Sequence, residues 1–216
     1  TGVVRGIQAG LVFSEGAQAE VNQSQRAQEA LRGKRVVVQG VGHVGEAIVE
    51  LLLEGGAEVI ATDISPNKVS ALQDRWRDLN VEVRLTEIGD MTPLSWPCDV
   101  LCPAATGAII NEETIPMIKA KLICGAANNQ LRSAEVNGPS LLKAGITYVP
   151  DFLVNRMGIV NCANEQYGSI DGDPDYQRHL DYEDPTSVYQ TTLRVLTQAT
   201  RDQGSPHDAA VQLAEE

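Results

Sequence analysis

The sequence predicts an α/β fold: a doubly wound, mostly parallel β-sheet with flanking helices and a helical segment at its C-terminal end. Three observations predict it. Short runs rich in Val, Ile and Leu recur at 35–39, 58–62, 81–85, 100–102, 121–124 and 146–149. Stretches with apolar residues at helical spacing separate most of these runs, and strands alternating with helices imply a parallel sheet covered on both faces. A glycine-rich turn joins the first run to the helix that follows it.

The elements follow in order. A helix is expected over about 3–14, where Val3, Ile7, Leu11 and Val12 share one face. Thr1 leads straight into it with no polar lead-in, which reads as a piece cut from something longer. After a polar, Gln-rich stretch, Arg35-Val36-Val37-Val38-Gln39 reads as a buried strand. Val44, Ala47, Ile48, Leu51 and Leu52 then form a helical stripe that Gly55-Gly56 ends. The strand at 58–62 leads to a turn at Ser65-Pro66-Asn67 and a helix through Arg77. Residues 169–186 hold Asp171, Asp173, Asp175, Asp181, Glu183 and Asp184 among Gly and Pro, and read as a solvated loop or linker. The run lacks the spacing and the final bidentate Glu of a calcium loop. Two helices, about 187–202 and 206–215, make up a helical segment over 187–216, and residues 1–216 are expected to form one domain.

Composition excludes several functions. Apolar residues at 43% and charged residues at 21% are ordinary globular values, so a packed core is expected. A net charge of −12 argues against a nucleic-acid partner, which wants a basic face. No apolar run approaches the roughly 18 residues a membrane span needs. The four cysteines form no CxxC pair and read as reduced, mostly buried thiols of a cytoplasmic protein. Three widely spaced histidines make no zinc site, so no metal is expected.

Gly40-Val41-Gly42-His43-Val44-Gly45 fits GxGxxG, follows a strand and opens a helix, which makes the fold Rossmann-type. Gly40 permits the tight turn, Gly42 lets backbone approach a diphosphate, and Gly45 lets helix and strand pack closely. Free N–H groups at the helix start then hold the anion. Asp63, 18 residues after Gly45, stands where a ribose-binding acid is expected. Its alternative role is to cap the next helix. His43 reads as a helix-start side chain near solvent rather than a catalytic base. The cofactor reading is NAD, with NADP disfavoured by the Asp63 charge.

Further motifs carry a resemblance. Pro103-Ala104-Ala105-Thr106-Gly107-Ala108-Ile109-Ile110-Asn111, Gly125-Ala126-Ala127-Asn128-Asn129-Gln130-Leu131 and Pro150-Asp151-Phe152-Leu153-Val154-Asn155 resemble the leucine/phenylalanine/valine/glutamate dehydrogenases. The likeness is greatest to the leucine dehydrogenases and runs from Val4-Arg5-Gly6 to Ala214-Glu215-Glu216. It implies oxidative deamination of an L-amino acid to a 2-oxo acid and ammonia, with hydride passed to NAD. It also implies Ala104 and Ala105 beside the cofactor, Asn128 near the nicotinamide ribose, and Asn155 at the nicotinamide–substrate junction. Ile159 and Cys162 match positions that line the side-chain pocket. A thiol at Cys162 packs as a small hydrophobe, which favours an aliphatic or aromatic substrate and rejects glutamate. Read from the residues alone, such Asn side chains also serve as loop-closing Asx-turns, and for Asn129 the two readings stay balanced.

Two departures bear on substrate. The family usually shows Asn-Ala-Gly-Gly where this chain has Asn155-Arg156-Met157-Gly158, and the acidic segment is longer. Arg156 is expected to point to solvent, with an inward swing onto an acidic substrate as the alternative. The family's catalytic lysines and aspartate belong to an N-terminal domain that nothing here matches. Lys34, Lys68, Lys119, Lys121 and Lys143 read as surface groups, so no catalytic residue is assigned within this chain. The expected partners are that N-terminal domain, a small amino acid and further copies in a homo-oligomer. Two other readings compete: a non-catalytic dinucleotide-sensing module, and another Rossmann oxidoreductase such as a hydroxy acid dehydrogenase. The latter wants a His/Arg pair, and only Arg156 lies near the expected site.

Overall fold

The computed structural model describes residues 1–16, 23–166, 168 and 172–215. Two helices come first, α1 (Gly2–Ser14) and α2 (Gln23–Glu29). An alternation follows: β1 (Arg35–Gln39), α3 (His43–Glu54), β2 (Glu58–Asp63), α4 (Pro66–Arg75), β3 (Val81–Leu85), β4 (Val100–Pro103), β5 (Leu122–Ile123), α5 (Ala134–Lys143) and β6 (Thr147–Tyr148). The rest is helical: α6 (Asp151–Val154), α7 (Met157–Gln166), α8 (Pro174–Arg178), α9 (Val188–Asp202) and α10 (Pro206–Glu215).

The strands form one six-stranded parallel sheet in the order β3-β2-β1-β4-β5-β6. Chain direction across the sheet reverses between β1 and β4. In open sheets of this kind ligands bind outside the carboxyl ends of the strands at such a switch point. Strand alternation assigns the two faces. Val36 and Val38 enter a core with Ile7 of α1, Ile48 and Leu52 of α3, Leu72 of α4 and Leu196 of α9. Val37 faces the other way and joins Leu101, Ile123 and Leu141 of α5.

One face of α1 has no side chains at all. Gly2, Gly6 and Gly10 stand at i, i+4 and i+8, and therefore on one stripe. A Cβ on Gly2 would fall 2.6 Å from the Val154 carbonyl oxygen, on Gly6 2.3 Å from Val154 Cγ1, and on Gly10 2.7 Å from Leu122 Cδ1. The helix thus lies directly on β5 and α6, despite about 1 kcal/mol of lost helix propensity per glycine relative to Ala. Its other side packs along α9.

The structure departs from the expected elements in four places. The last two strands are two residues each rather than four, although the bonds Cys124 N–H to Leu101 O and Val149 N–H to Ile123 O prolong the ladder by one step. α2 occupies the end of the Gln-rich stretch, because Ala27, Ala30 and Leu31 give that segment a buried side. α5 contains Pro139, whose ring disguises a helix that Ser133 caps through the Val136 N–H.

The fourth departure is a correction. Residues 169–171 of the acidic segment lie outside the described residues, but 173–186 are not simply solvated. Asp173 caps α8 by accepting from Asp175 N–H, and Tyr176 and Leu180 pack against the main core. The Arg5 guanidinium lies 3.8 Å from the Tyr182 ring centroid and donates from Nε to the Leu180 carbonyl, which ties the segment to α1.

Candidate dinucleotide-binding site

The site begins where β1 turns into α3. Gly40 has φ +95, a region L side chains avoid, and its N–H donates to Thr62 O across to β2. A Cβ there would meet Ala105 Cβ at 2.5 Å, so the glycine also lets the loop after β4 close over the turn. Gly45, one turn into α3, has no such freedom to exploit. Its Cβ would stand 2.1 Å from Gly40 O, so it is a packing glycine between helix and strand. Gly42 differs from both. It is the N-cap of α3 in an extended conformation that any residue adopts, and a Cβ there would meet nothing within 4 Å. Backbone therefore faces open space at the positive end of a 12-residue helix, the setting in which N–H groups hold an anion.

Asp63 closes the far side. Its Oδ1 accepts from Ser65 N–H at 2.9 Å and its Oδ2 from Val41 N–H at 3.3 Å, which pins the carboxylate beside the glycine turn. The helix that follows is capped by Ser65, whose hydroxyl accepts from Lys68 N–H, not by Asp63. Glu46, an acid in the first turn of α3, is held by Lys68 Nζ at 2.8 Å and by Arg75 at 3.2 Å.

On the other side of the switch point a cleft of about 680 Å³ opens between α3, the loop after β5 and the start of α7. It brings together His43, Val44, Asn128, Asn155 and Ile159. Asn155 Nδ2 donates to Asn128 Oδ1 at 2.7 Å, so the two amides form one polar pair in a wall that also holds Thr1 and His43 beside the apolar Ala47, Ile48, Val154 and Met157. His43 is the exposed first residue of α3, as expected of a helix-start side chain. Ala104 and Ala105 lie against the glycine turn. Asn129 turns out to close its loop: φ is +51, its N–H donates to Asp151 Oδ2 and its carbonyl accepts from Ala108 N–H. Among the described residues, those lining the cleft include no lysine and no carboxylate. A smaller cavity of about 190 Å³ by Phe13, Leu141 and Leu196 holds none of the expected site residues.

Two expectations change. Arg156 points neither to solvent nor into the cleft: its guanidinium donates to Thr186 O at 2.5 Å, joining the start of α7 to the acidic segment. Burial, and then the neighbouring Arg194, lower its pKa. Cys162 is exposed on α7 and does not line the cleft, although Ile159, three residues earlier, does.

The model of the family described as glutamate/leucine/phenylalanine/valine dehydrogenase matches residues 14–214. The chain belongs to this family. It is 37% identical over 186 residues to the leucine dehydrogenase of Bacillus cereus, covering 86% of this chain and 47% of that protein. It is 34% identical over 192 residues to the valine dehydrogenase of Streptomyces albus, covering 86% and 48%. The crystal structure of L-tryptophan dehydrogenase from Nostoc punctiforme superposes with a TM-score of 0.80 at 29% identity, over 99% of this chain and 57% of that one. The chain spans about half the length of the curated relatives it matches.

For this family member, residue-by-residue reading missed the group that organises the loop after β5. Asp151 is buried at the start of α6, accepts from Tyr148 OH at 2.8 Å and holds Asn129 N–H at 2.9 Å. Its visible signal was a Tyr three residues before an acid at a strand end. Gln130, fully buried, holds the same loop from within by donating to the Gly125 and Ala127 carbonyls.

Proposed function

We propose that this chain is the NAD-binding part of an amino acid dehydrogenase, oxidatively deaminating an aliphatic or aromatic L-amino acid to a 2-oxo acid and ammonia. The observation that carries this reading is the continuity of open backbone at Gly42, a pinned carboxylate at Asp63 and the Asn128–Asn155 pair, all along one switch point. The residues fit a dinucleotide: only a glycine cradle leaves the space over Gly42 open. When bound, NAD supplies the hydride acceptor. The Gly40–Gly45 turn, with His43 and Val44 at the head of α3, offers N–H groups to the diphosphate. Asp63 accepts from ribose hydroxyls, Ala104 and Ala105 flank the cofactor, and Asn128 and Asn155 orient the nicotinamide end. NAD rather than NADP is favoured, since Asp63 repels a 2′-phosphate.

The substrate side of the cleft is apolar, with Ile159 and Met157 in its wall, and Arg156 is engaged with Thr186. A substrate carboxylate at the side-chain end would therefore be desolvated without a partner, which costs several kcal/mol. The case against glutamate thus rests on Ile159 and the tied Arg156 more than on Cys162. Proton transfer needs a group within hydrogen-bond reach of the substrate, and we place it on an N-terminal domain outside this chain. The whole protein is read as a cytoplasmic homo-oligomer. The test has two arms. This chain alone should bind NAD and produce no NADH from any L-amino acid. In the full-length enzyme kcat/KM should be greater for leucine, valine, phenylalanine or tryptophan than for glutamate. Turnover by the isolated chain, or a preference for glutamate, refutes the respective part.

A further inference from the structure

Asp151 is a buried carboxylate that neither caps a long helix nor meets a cation, and its partners converge on one place. Oδ1 accepts from the phenol of Tyr148 and Oδ2 from Asn129 N–H, while its own carbonyl accepts from Asn155 N–H at 2.9 Å. That last bond is the ordinary i→i+4 bond of α6, so the carboxylate ties the Asn128–Asn129 loop to the helix that ends in Asn155, and these two segments carry the Asn128–Asn155 pair. The loop it grips from the β5 side is itself tightly seated. Asn129 is left-handed, and a Cβ on Gly107 would stand 2.5 Å from Asn128 O, so the loop has no slack on its other side. Burial of Tyr148, and then the adjacent Asp151, raise the phenol's pKa, so it remains a donor.

We propose that Asp151 is a positioning residue for the nicotinamide end of the site: it sets the separation and orientation of the Asn128 and Asn155 amides. This rests on the dinucleotide reading of the cleft. A carboxylate suits the task because it is acceptor-only and both of its partners are donors. An alternative role, holding the fold in general, predicts a different pattern of loss, and the two are separable.

The experiment compares NAD with ADP-ribose, which lacks the nicotinamide, by calorimetric titration of the chain and of Asp151→Ala and Asp151→Asn. Asn keeps an acceptor for Asn129 N–H and can turn its NH₂ to the Tyr148 oxygen. In Asp151→Ala the NAD/ADP-ribose affinity ratio should fall about tenfold, the typical size of one lost hydrogen bond to a charged group. ADP-ribose affinity should hold, and Asp151→Asn should recover most of the ratio. Equal weakening of both ligands, or an unchanged ratio, overturns the proposal. Should Asp151→Ala not fold, Tyr148→Phe removes one donor and should lower the ratio about threefold; no change there overturns it as well. If the unaltered chain binds neither ligand, the dinucleotide reading itself fails. If it binds both equally, that reading stands and the positioning role falls.

Discussion

Replacing Gly42 and Gly45 separately with Ala separates the space reserved for a ligand from the space used for packing. At Gly45 the new methyl would stand 2.1 Å from Gly40 O, against about 3.5 Å for an ordinary carbon contact. Either α3 or the turn must move by more than 1 Å, roughly, and both are anchored: the turn by Gly40 N–H to Thr62 O, the helix by its buried Ile48, Val49 and Leu52. Overpacking of this kind costs about 1–3 kcal/mol, sometimes more. In a chain of this size that is a fall in Tm of roughly 2–12 °C. At Gly42 the same methyl meets no protein atom and the backbone is already extended. The weaker N-cap costs several tenths of a kcal/mol, and the stiffer unfolded chain returns a similar amount, about 0.4–1 kcal/mol. Tm should hardly move. Yet the methyl now occupies the approach to the helix N-terminus, so NAD affinity should drop at least about tenfold, which is about 1.4 kcal/mol. Thermal denaturation without ligand and calorimetric titration with NAD read the two effects independently. Unchanged NAD affinity in a well-folded Gly42→Ala variant would show that the diphosphate does not sit there.

Three other outcomes are expected. Asp63→Ser should narrow the NAD/NADP affinity gap: two unit charges about 4 Å apart cost roughly 1 kcal/mol in water and about 4 at an effective dielectric of 20, so equal affinities in the unaltered chain refute the role of Asp63. Iodoacetamide at pH 8 should modify Cys162 first, because burial raises Cys98 to about 11, Cys102 to about 12 and Cys124 well above its ordinary value; mass spectrometry locates the adducts. The same raised thiols bind protons that the unfolded chain has released, so their contribution to stability is complete below about pH 8.5 and is lost as pH climbs through 11 and 12; denaturant midpoints measured from pH 8 to 11 should fall, and a rise would contradict the burial of these groups.

The sheet was legible because its central strands β1 and β4 are buried on both faces and read as apolar runs, and GxGxxG was legible because its three glycines at fixed spacing each have a separate cause. The end of the sequence read less well for physical reasons. α8 follows an Asp173-Pro174 start signal, but Tyr176 within it and Leu180 just beyond it are outnumbered by acids, and both find their burial only against the main core formed by other elements. Arg156 illustrates the same limit: its partner, Thr186, lies 30 residues on, and no local pattern announces a bond to a backbone carbonyl. Cys162 and Ile159 share a helix face by spacing, but only one of them reaches the cleft, since the cleft ends within a single turn of α7. Family resemblance supplied the Asn pair. The bond between its two members came from tertiary structure.

The bare stripe of α1 has a mechanical consequence. A helix that rests on long side chains has rotamers to spend before its neighbours feel a push. With Gly2, Gly6 and Gly10 against Val154 and Leu122 there is no such clearance, and Val154 is followed at once by Asn155. Thr1 and Gly2 meanwhile stand in the cleft wall. Any side chain added at Gly2 or Gly6 would press on Val154, the residue that leads directly into Asn155 of the cleft wall, so the bare stripe of α1 is what lets this wall of the cleft stand where it does.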